Sequence, residues 1–440
     1  MDSADEKVVV VILVAGPSKG SIFISLDSIS AAFFQHSRAF ISFGWSTNGS
    51  SPYIRLQKSM FHLFLEKRII IADFLLKIPN LVQVFLIGYY DEREFALYCS
   101  SVSNELKVPV RYLKEDKPHG SAGSLYYFRD RIMEETPSHI FLLNFDVCCN
   151  FPLLEMLESH KAYGGIGTLL VIKVSAELAS QFGELVADPA SQEVLHYTEK
   201  PETFVSNLIN CGIYVFTPNI FSVIQEVYRL REEKAYTRNL PNYESQQFAI
   251  RSLPTDFVRL DQDILSPLAG KKQLYTYETT EFWEQIKSPG MSIKCSALYL
   301  SRFRSTSPHL LASGDGNRSA SVVGDVYVHP SARVHPTAKI GPNVSISANV
   351  RIAPGVRLKN CIVLDDVEIM ENAVVVNAIV GWKSSLGRWS RVQADGDYDT
   401  KLGITILGES VTVEDEVVVI NSIVLPNKVL NLSMQEEIIL

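Results

Sequence analysis

The sequence predicts an α/β protein in two parts, a sheet-and-helix domain followed by a parallel β-helix. Two observations lead to this prediction. Through residue 304, apolar strand-like runs alternate with helical patterns, which is the rhythm of βαβ units. From Val328 onwards an aliphatic residue returns every six positions, a period that fits neither an α-helix nor an amphipathic strand.

The N-terminal domain begins with a β-branched run, Val8–Val14. Its continuous apolar character is typical of a strand buried on both faces of a parallel sheet. Three further strands and two intervening helices are predicted: Val82–Ile87, Ile140–Asn144 and Thr168–Lys173, with Glu92–Leu106 and Ser121–Glu135. Ligands of such a doubly wound sheet bind beyond the carboxyl ends of the strands.

Two interleaved series define the C-terminal repeat. The first is Val328, Val334, Ile340, Ile346, Ile352, Leu358, Leu364, Met370 and Val376. The second lies four residues later: Ala332, Ala338, Val344, Val350, Val356, Ile362, a lapse at Glu368, Val374 and Val380. A polar loop, Ala394–Lys401, interrupts the register, which resumes at Leu407. Short strands joined by turns, each stacking its inward aliphatic residues on the next, predict a parallel β-helix.

These patterns place residues 1–304 in the N-terminal domain and residues 322–440 in the β-helix. The polar stretch 305–321 between them is predicted to be a linker. A solenoid needs capped ends and often assembles through one face, so we expect an oligomer that forms through the β-helix.

Composition excludes several classes of function. The net charge is -8, from 41 basic and 49 acidic residues, and the absence of a basic run argues against nucleic acid as a partner. The apolar run Val8–Ala15 is too short for a signal peptide or a membrane anchor. Six cysteines without metal-like spacing are expected to be reduced and buried, as in a cytoplasmic protein. His329 and His335 each precede a proline, which favours turn chemistry over metal binding.

Two glycine-containing turns are candidates for nucleotide binding. Gly16 lies in Ala15–Gly20, directly after the first strand, where backbone N–H groups can meet a phosphate. An ordinary strand-ending turn is the alternative at this position. Gly120 and Gly123 lie in His119–Ser124, which opens a helix, and their small size would let a flat base approach the backbone.

Three further motifs follow strand-like runs. Asp146 ends the apolar strand Leu142–Val147, the usual position for a carboxylate that holds Mg²⁺ against phosphates, although a turn or helix-capping aspartate is the alternative. Glu199-Lys200-Pro201 and Asn210–Tyr214 are polar groups beside strands and are unremarkable in isolation.

Together these motifs resemble the sugar-phosphate nucleotidyltransferases, and within them the alpha-type subunits of mannose-1-phosphate guanylyltransferase. The most specific matching segments are His119–Leu125, Leu142–Cys148, His196–Pro201, Asn210–Phe216, Val258–Gly270 and Asn421–Leu440. The resemblance implies a Rossmann-like nucleotidyltransferase domain followed by a left-handed parallel β-helix of hexapeptide repeats.

The resemblance also implies a site. Active members of the family convert GTP and mannose 1-phosphate into GDP-mannose and pyrophosphate with the help of Mg²⁺. Carried over by motif, the site residues are Gly16 against the nucleotide, Gly120 and Gly123 beside guanine, Asp146 as the first metal carboxylate, Glu199 facing mannose, Lys200 on the sugar phosphate and Asn210 on the sugar hydroxyls.

Three departures from the family pattern bear on catalysis. Ser21-Ile22 stands where the catalytic loop of active members has Thr-Arg, and isoleucine cannot supply the positive charge. The following Pro-Lys-Pro segment is absent, and residues 21–77 diverge; their composition favours a retained intron or faulty gene model over a genuine insertion. Gln285 stands where active members have a second metal aspartate, as in alpha-type subunits.

These departures favour a regulatory subunit that binds GDP-mannose, or GTP and mannose 1-phosphate, and tunes a catalytic beta-type partner. An active guanylyltransferase of low efficiency is the alternative, so the sequence leaves enzymatic activity open. A third interpretation retains only the β-helix as an assembly module, but the intact Asp146, Glu199 and Asn210 positions argue against it.

Overall fold

The computed structural model describes residues 6–14, 74–238, 257–313, 320–397 and 403–440. These residues form two compact units, one ending at Glu284 and the other beginning at Gln285. Gly16 and most of the divergent stretch 21–77 lie outside the described residues.

A nine-stranded sheet forms the core of the first unit. The strands up to Gln285 are β1 (Val8–Leu13), β2 (Leu81–Gly88), β3 (Val110–Lys114), β4 (His139–Asn144), β5 (Val147–Cys149), β6 (Gly167–Lys173), β7 (Gly183–Ala187), β8 (Val194–Glu199), β9 (Leu208–Phe216), β10 (Leu274–Glu278) and β11 (Trp283–Gln285). The sheet order is β10-β6-β9-β4-β1-β2-β3, with β7 joined to β9 and β8 joined to β7. A separate small sheet pairs β5 with β11.

The predicted strands are confirmed, but the sheet is mixed. β1 lies between β2 and β4, parallel to both, and Val8–Val11 are buried as the β-branched run predicts. β9, however, runs antiparallel to β4 and β6. β9 is also antiparallel to β7, which in turn pairs antiparallel with β8.

Helices cover this sheet. They are α1 (Glu92–Leu106), α2 (Ser121–Tyr127), α3 (Arg129–Ile132), α4 (Leu153–Tyr163), α5 (Ala176–Ala179), α6 (Ile220–Arg238), a π-helix (Asp261–Leu265) and α7 (Ser266–Leu268). α1 begins at Asp91, whose carboxylate accepts the Arg93 N–H at 3.0 Å. The single helix predicted over Ser121–Glu135 is divided into α2 and α3 because Phe128, at φ -97° and ψ 15°, leaves helical geometry. Within the described ranges, no helix is both long and apolar enough to cross a membrane.

The second unit is a parallel β-helix. Its strands are β12 (Ser321–Val322), β13 (Val326–Val328), β14 (Arg333–Val334), β15 (Lys339–Ile340), β16 (Val344–Ile346), β17 (Arg351–Ile352), β18 (Arg357–Val363), β19 (Glu368–Ile369), β20 (Val374–Val380), β21 (Ser385–Leu386), β22 (Arg391–Gln393), β23 (Thr405–Leu407), β24 (Thr412–Val413), β25 (Val418–Ile420), β26 (Ile423–Val424), β27 (Val429–Leu430), β28 (Met434–Gln435) and β29 (Ile438–Ile439). Every pairing among them is parallel, as the six-residue repeat predicts.

The strands stack into three faces. Face A consists of β12-β15-β18-β20-β22-β25-β28, and face C of β14-β17-β19-β21-β24-β27. Face B consists of β13, β16, the second halves of β18 and β20, then β23, β26 and β29. Aliphatic side chains such as Ile340, Ile352 and Val375 fill the interior.

The six-residue register predicted from the sequence is wrong from Ile362 to Val376, whereas Leu407, where the register resumes, is interior as predicted. The interior positions are Val363, Ile369 and Val375, one residue before the predicted Leu364, Met370 and Val376. The cause is a shorter corner. Three residues separate the interior Ile340 from Val344, whereas two separate Leu358 from Cys361. The apparent lapse at Glu368 disappears, because the interior residue there is Val367.

Asparagines stack along this corner. Asn343, Asn360 and Asn377 have φ values of 57°, 45° and 51°, the left-handed region that asparagine tolerates better than most residues. The side-chain amide of Asn343 donates to Asn360 at 3.2 Å, and that of Asn360 donates to Asn377 at 3.2 Å. Asn377 then donates to the carbonyl of Ala394 at 2.7 Å. The ladder joins successive coils where the corner is tightest.

The histidine turns and the cysteines behave as predicted. The Nδ1 atoms of His329 and His335 accept the N–H groups of Ser331 and Thr337 at 3.2 and 3.3 Å, so each imidazole closes the turn that it begins. All six cysteines are free and buried.

The second unit also contains a helix, α8 (Pro289–Thr306), which the sequence places in the N-terminal domain. Ile293 of α8 packs into an aliphatic cluster with Ile362 and Ile379 of face B. The segment after α8 contains a 3₁₀ turn, Pro308–Leu310. The boundaries 1–304, 305–321 and 322–440 remain predictions.

We predict that Asn360→Ala destabilises the β-helix by about 2 kcal/mol. The substitution removes two amide hydrogen bonds, and alanine tolerates a positive φ less well than asparagine does. Asn360→Gly is the matched control: it accepts the backbone angle but loses the ladder, so its loss should be smaller. Denaturant unfolding of the three proteins provides the measurement. Equal stability of the wild type and Asn360→Ala would contradict a stabilising ladder.

Acid should weaken the first unit through His160. Burial, and then the nearby His139, lower the pKa of the His160 imidazole to about 4. In the unfolded chain the imidazole has a pKa near 6.5, so it becomes protonated at a higher pH than in the folded protein. As the pH falls from about 6.5 toward 4, the free energy of unfolding therefore decreases by up to about 3 kcal/mol. Unfolding free energies measured across this range should fall less steeply in His160→Leu. The exposed His196 offers a control, since His196→Asn should keep the wild-type slope.

Candidate functional site

The carboxyl ends of β1 and β4 meet at the turn that contains Asp146. Leu13 lies opposite Asn144 in the parallel register, and the N–H of Phe145 donates to the carbonyl of Leu13 at 3.2 Å. Asp146 follows directly and is half-buried. The structure therefore places Asp146 at the edge of the sheet where α/β folds bind ligands.

Few metal ligands accompany Asp146. Asp146 leads into β5, which pairs with β11, and β11 ends at the neutral Gln285. In the parts of the chain that the structure describes, no group of three or more His, Cys, Asp or Glu side chains is placed to hold a metal ion. The described residues by themselves therefore offer Asp146 as a single carboxylate ligand, and phosphate oxygens of a ligand would complete the coordination of Mg²⁺.

A second set of polar residues lies on β8 and β9. The Tyr197 hydroxyl donates to Oε2 of Glu199 at 2.9 Å. The side-chain amide of Asn210 donates to the hydroxyls of Tyr197, at 3.2 Å, and Tyr214, at 2.8 Å. Its Oδ1 accepts the N–H of Gly212 at 3.0 Å. The structure thus brings together two predicted residues, Glu199 and Asn210, through two tyrosines.

The protonation states in this network follow from burial. Burial raises the pKa of the Glu199 carboxyl, and the neighbouring Asp261 carboxylate raises it further, while the Tyr197 hydrogen bond opposes both. Burial also raises the pKa of Tyr197 and Tyr214, so both remain neutral phenols. The network therefore presents hydroxyl, amide and carboxyl groups in fixed positions.

Lys200 lies beside this network and remains exposed. Its Nζ lies 4.0 Å from Oε1 of Glu199. The backbone of Lys200 is left-handed, with φ 45°, and its N–H donates to the carbonyl of Phe182 at 3.1 Å. A solvent-accessible ammonium group next to a set of hydroxyl-binding groups suits a phosphorylated sugar.

Glu184 holds the loop after Lys200 in place through hydrogen bonds to the loop backbone. This carboxylate, fully buried on β7, accepts the N–H groups of Val205 and Ser206 through Oε2 at 2.6 and 2.8 Å. Two charge-assisted hydrogen bonds anchor the short connection between β8 and β9. Glu184 thereby helps to hold Lys200 and Asn210 at the two ends of one ordered loop.

The Gly120–Gly123 turn is shaped by a distant segment. Gly120 has φ 80°, and a β-carbon there would lie 2.4 Å from the carbonyl oxygen of Val258. That same oxygen accepts the N–H groups of Ala122 and Gly123, both at 3.1 Å. Gly120 is therefore required by the close approach of Val258, independently of any base. The predicted role of Gly120 and Gly123 beside guanine remains a prediction.

A buried carboxylate supports the same turn. Oε1 of Glu115 accepts the Ser124 hydroxyl at 2.6 Å and the N–H of His119 at 3.4 Å. Burial raises the pKa of Glu115, and the Ser124 hydrogen bond opposes that shift. The His119 ring stacks on Tyr127 with centroids 4.3 Å apart. The turn is thus rigid on both sides.

Several of these residues were missed by the sequence analysis. Tyr197 lies two residues before Glu199 on a strand, and this spacing puts both side chains on one face. The sequence alone could therefore have identified Tyr197 as a neighbour of Glu199. Val258 and Asp261 lie in the matching segment Val258–Gly270, but nothing in the sequence indicates their contacts here, because they reach the site only through the fold.

Comparison with known proteins finds two matching family models. The family model described as nucleotidyl transferase matches residues 55–250, so the match includes residues 55–77 of the stretch predicted to be divergent. The model described as the GMPPB C-terminal domain matches residues 322–439.

Curated relatives match most of the chain. A mannose-1-phosphate guanylyltransferase regulatory subunit alpha-B of Danio rerio is 42% identical over 386 residues, covering 83% of this chain and 89% of the relative. The regulatory subunit alpha of Dictyostelium discoideum is 42% identical over 371 residues, covering 83% and 88%. That of Homo sapiens is 42% identical over 384 residues, covering 83% and 89%. The chain therefore belongs to the alpha-subunit family of mannose-1-phosphate guanylyltransferases.

Proposed function

We propose that the chain is a regulatory subunit that binds a nucleotide-sugar and acts on a catalytic mannose-1-phosphate guanylyltransferase subunit. The names of its relatives support the regulatory role. The observation that carries the proposal is the buried network of Tyr197, Glu199, Asn210 and Tyr214. A protein without a sugar ligand would have little use for such an array next to an exposed lysine.

The hydrogen bonds of this network run from the Asn210 amide through the Tyr197 hydroxyl to the Glu199 carboxyl. Both N–H bonds of the Asn210 amide are directed at tyrosine oxygens, and the Tyr197 hydroxyl donates onward to Glu199. Oε1 of Glu199 and the second lone pair of the Asn210 Oδ1 keep acceptor capacity. These acceptors suit the hydroxyl donors of a hexose, and a site built around such bonds discriminates against ligands that lack them.

Charge supports GDP-mannose as the ligand class. In this proposal the exposed Lys200 meets the phosphate next to the sugar, and the Gly120–Gly123 turn is the contact for the base. Mg²⁺ would bind the Asp146 carboxylate only together with phosphate oxygens of the ligand. Binding rather than turnover is proposed because Ile22 and Gln285 lack the charges that active members carry at these positions.

Asn210→Ala should weaken GDP-mannose binding by about tenfold to a hundredfold, because it removes one acceptor and releases both tyrosine hydroxyls. Isothermal titration calorimetry measures this directly. The exposed Asn207 lies three residues away, and Asn207→Ala should bind like the wild type. No binding heat in the wild-type protein would contradict the proposal.

The chain alone should form no GDP-mannose from GTP and mannose 1-phosphate, whereas its addition should change the rate of a catalytic subunit. A coupled assay for pyrophosphate release measures both. Asp146→Ala controls for contaminating enzyme, since it removes only activity that belongs to this chain. Turnover by the chain alone that disappears in Asp146→Ala would instead support an active guanylyltransferase.

A further inference from the structure

Face A of the β-helix presents two outward columns of side chains. The strand register aligns Lys339, Arg357, Val374, Arg391 and Val418 in the first column. It aligns Lys359, Val376, Gln393, Ile420 and Gln435 in the second. The four basic residues are exposed and the four aliphatic residues are half-buried. None of these ten residues is acidic.

Several cations elsewhere on the β-helix are paired with carboxylates. On face C, Arg351 pairs with Glu368 on the adjacent strand at 2.7 Å. At the corners, Arg388 pairs with Glu371 at 3.1 Å and Lys383 with Glu409 at 3.3 Å. These contacts match each cation with a carboxylate from a neighbouring coil.

On face A the charges are unmatched. Lys339 and Arg357 are direct partners in the strand register, so two like-charged residues stand on neighbouring strands whose backbones are about 5 Å apart. Among the described residues, neither these two nor Lys359 and Arg391 lie within ion-pair distance of a carboxylate. Asp395, which follows the face A strand β22 in the chain, accepts the side-chain amide of Asn421 at 2.8 Å. Like charges directly opposite each other destabilise a sheet, so this arrangement costs stability.

In the described part of the β-helix, faces B and C do not carry a comparable cluster of unmatched cations. Face B carries a column of isoleucines, Ile362, Ile379, Ile406 and Ile423, which are buried in a cluster with Ile293 of α8. Face C has the matched pair of Arg351 and Glu368. Among the described residues, face A gathers four unmatched cations around half-buried aliphatic residues, whereas the strands of face C carry one, Arg333.

The chemistry of face A defines what fits it. Four cations on β15, β18 and β22, in two columns two residues apart along the strands, call for carboxylates at a similar spacing, about 5 Å from one strand to the next. Val374, Val376, Val418 and Ile420 lie among the cations, and they would be covered by apolar side chains rather than by a nucleic-acid backbone. The overall charge of -8 also opposes nucleic acid. An acidic protein surface that includes apolar residues satisfies both requirements.

We propose that face A is the docking surface for an acidic patch on the catalytic subunit, an inference that rests on the proposed regulatory function. The cations steer the two subunits together and set their register, and the aliphatic residues supply the desolvated contact. Face A is therefore an interaction surface separate from the Glu199–Asn210 site.

Charge reversal tests this inference. Arg357→Glu combined with Arg391→Glu should weaken binding to the catalytic subunit by on the order of tenfold or more, with a flatter dependence of affinity on salt. Arg333→Glu combined with Lys383→Glu changes the net charge equally but lies outside face A, and should bind nearly as the wild type does. Biolayer interferometry with the full-length proteins gives the affinities, and thermal unfolding shows whether each variant is folded.

The outcomes separate this inference from the proposed function. If the wild type binds the catalytic subunit and the face A variant binds equally well, the docking surface is wrong and the regulatory function stands. If the wild type binds no catalytic subunit, the regulatory function fails and this inference with it. Sedimentation of the chain alone adds one more outcome: if reversal abolishes self-association and leaves the catalytic subunit bound, face A joins copies of this chain, which also overturns the inference. GDP-mannose binding should be unchanged in both variants.

Discussion

The placement of β9 is the constraint on which the candidate site depends. This strand runs antiparallel between β4 and β6 and also contacts β7. Its pairing with β4 brings it beside the strand that leads to Asp146, and its contact with β7 and β8 places Asn210 against Tyr197 and Glu199. Moving β9 by one residue would turn Asn210 to the opposite face of the sheet. The hydrogen-bond network is thus a consequence of strand register.

The sequence was sufficient where the signal was local. The apolar run at β1, the helix Glu92–Leu106 and the six-residue repeat each follow from periodicity, whereas Glu199 and Asn210, unremarkable in isolation, were identified only through the family resemblance. It was insufficient where the cause was distant. A glycine is required at position 120 because the carbonyl of Val258, 138 residues later in the chain, approaches it closely. Nothing around Gly120 in the sequence indicates that contact.

The β-helix shows the same division. Its existence follows from the repeat, yet the register from Ile362 to Val376 does not, because one residue fewer at the Asn360 corner shifts the interior positions that follow, including Val363, Ile369 and Val375. Aliphatic residues occur at both the interior and the outward positions of this segment, since Ile362 and Ile379 are buried in the cluster with Ile293 of α8. A pattern of hydrophobicity alone cannot distinguish an interior column from an outward column that another element covers.

The central claim is that this chain couples nucleotide-sugar binding to a catalytic subunit. Such coupling is reciprocal: if the partner alters the affinity for GDP-mannose, GDP-mannose must alter the affinity for the partner by the same factor. The most direct measurement is the dissociation constant of the two subunits, with the catalytic subunit's own nucleotide site blocked by mutation, in the absence of GDP-mannose and at saturation. We expect the two constants to differ severalfold, and to become equal in Asn210→Ala. Identical constants in the wild type would contradict a ligand-sensing regulatory subunit.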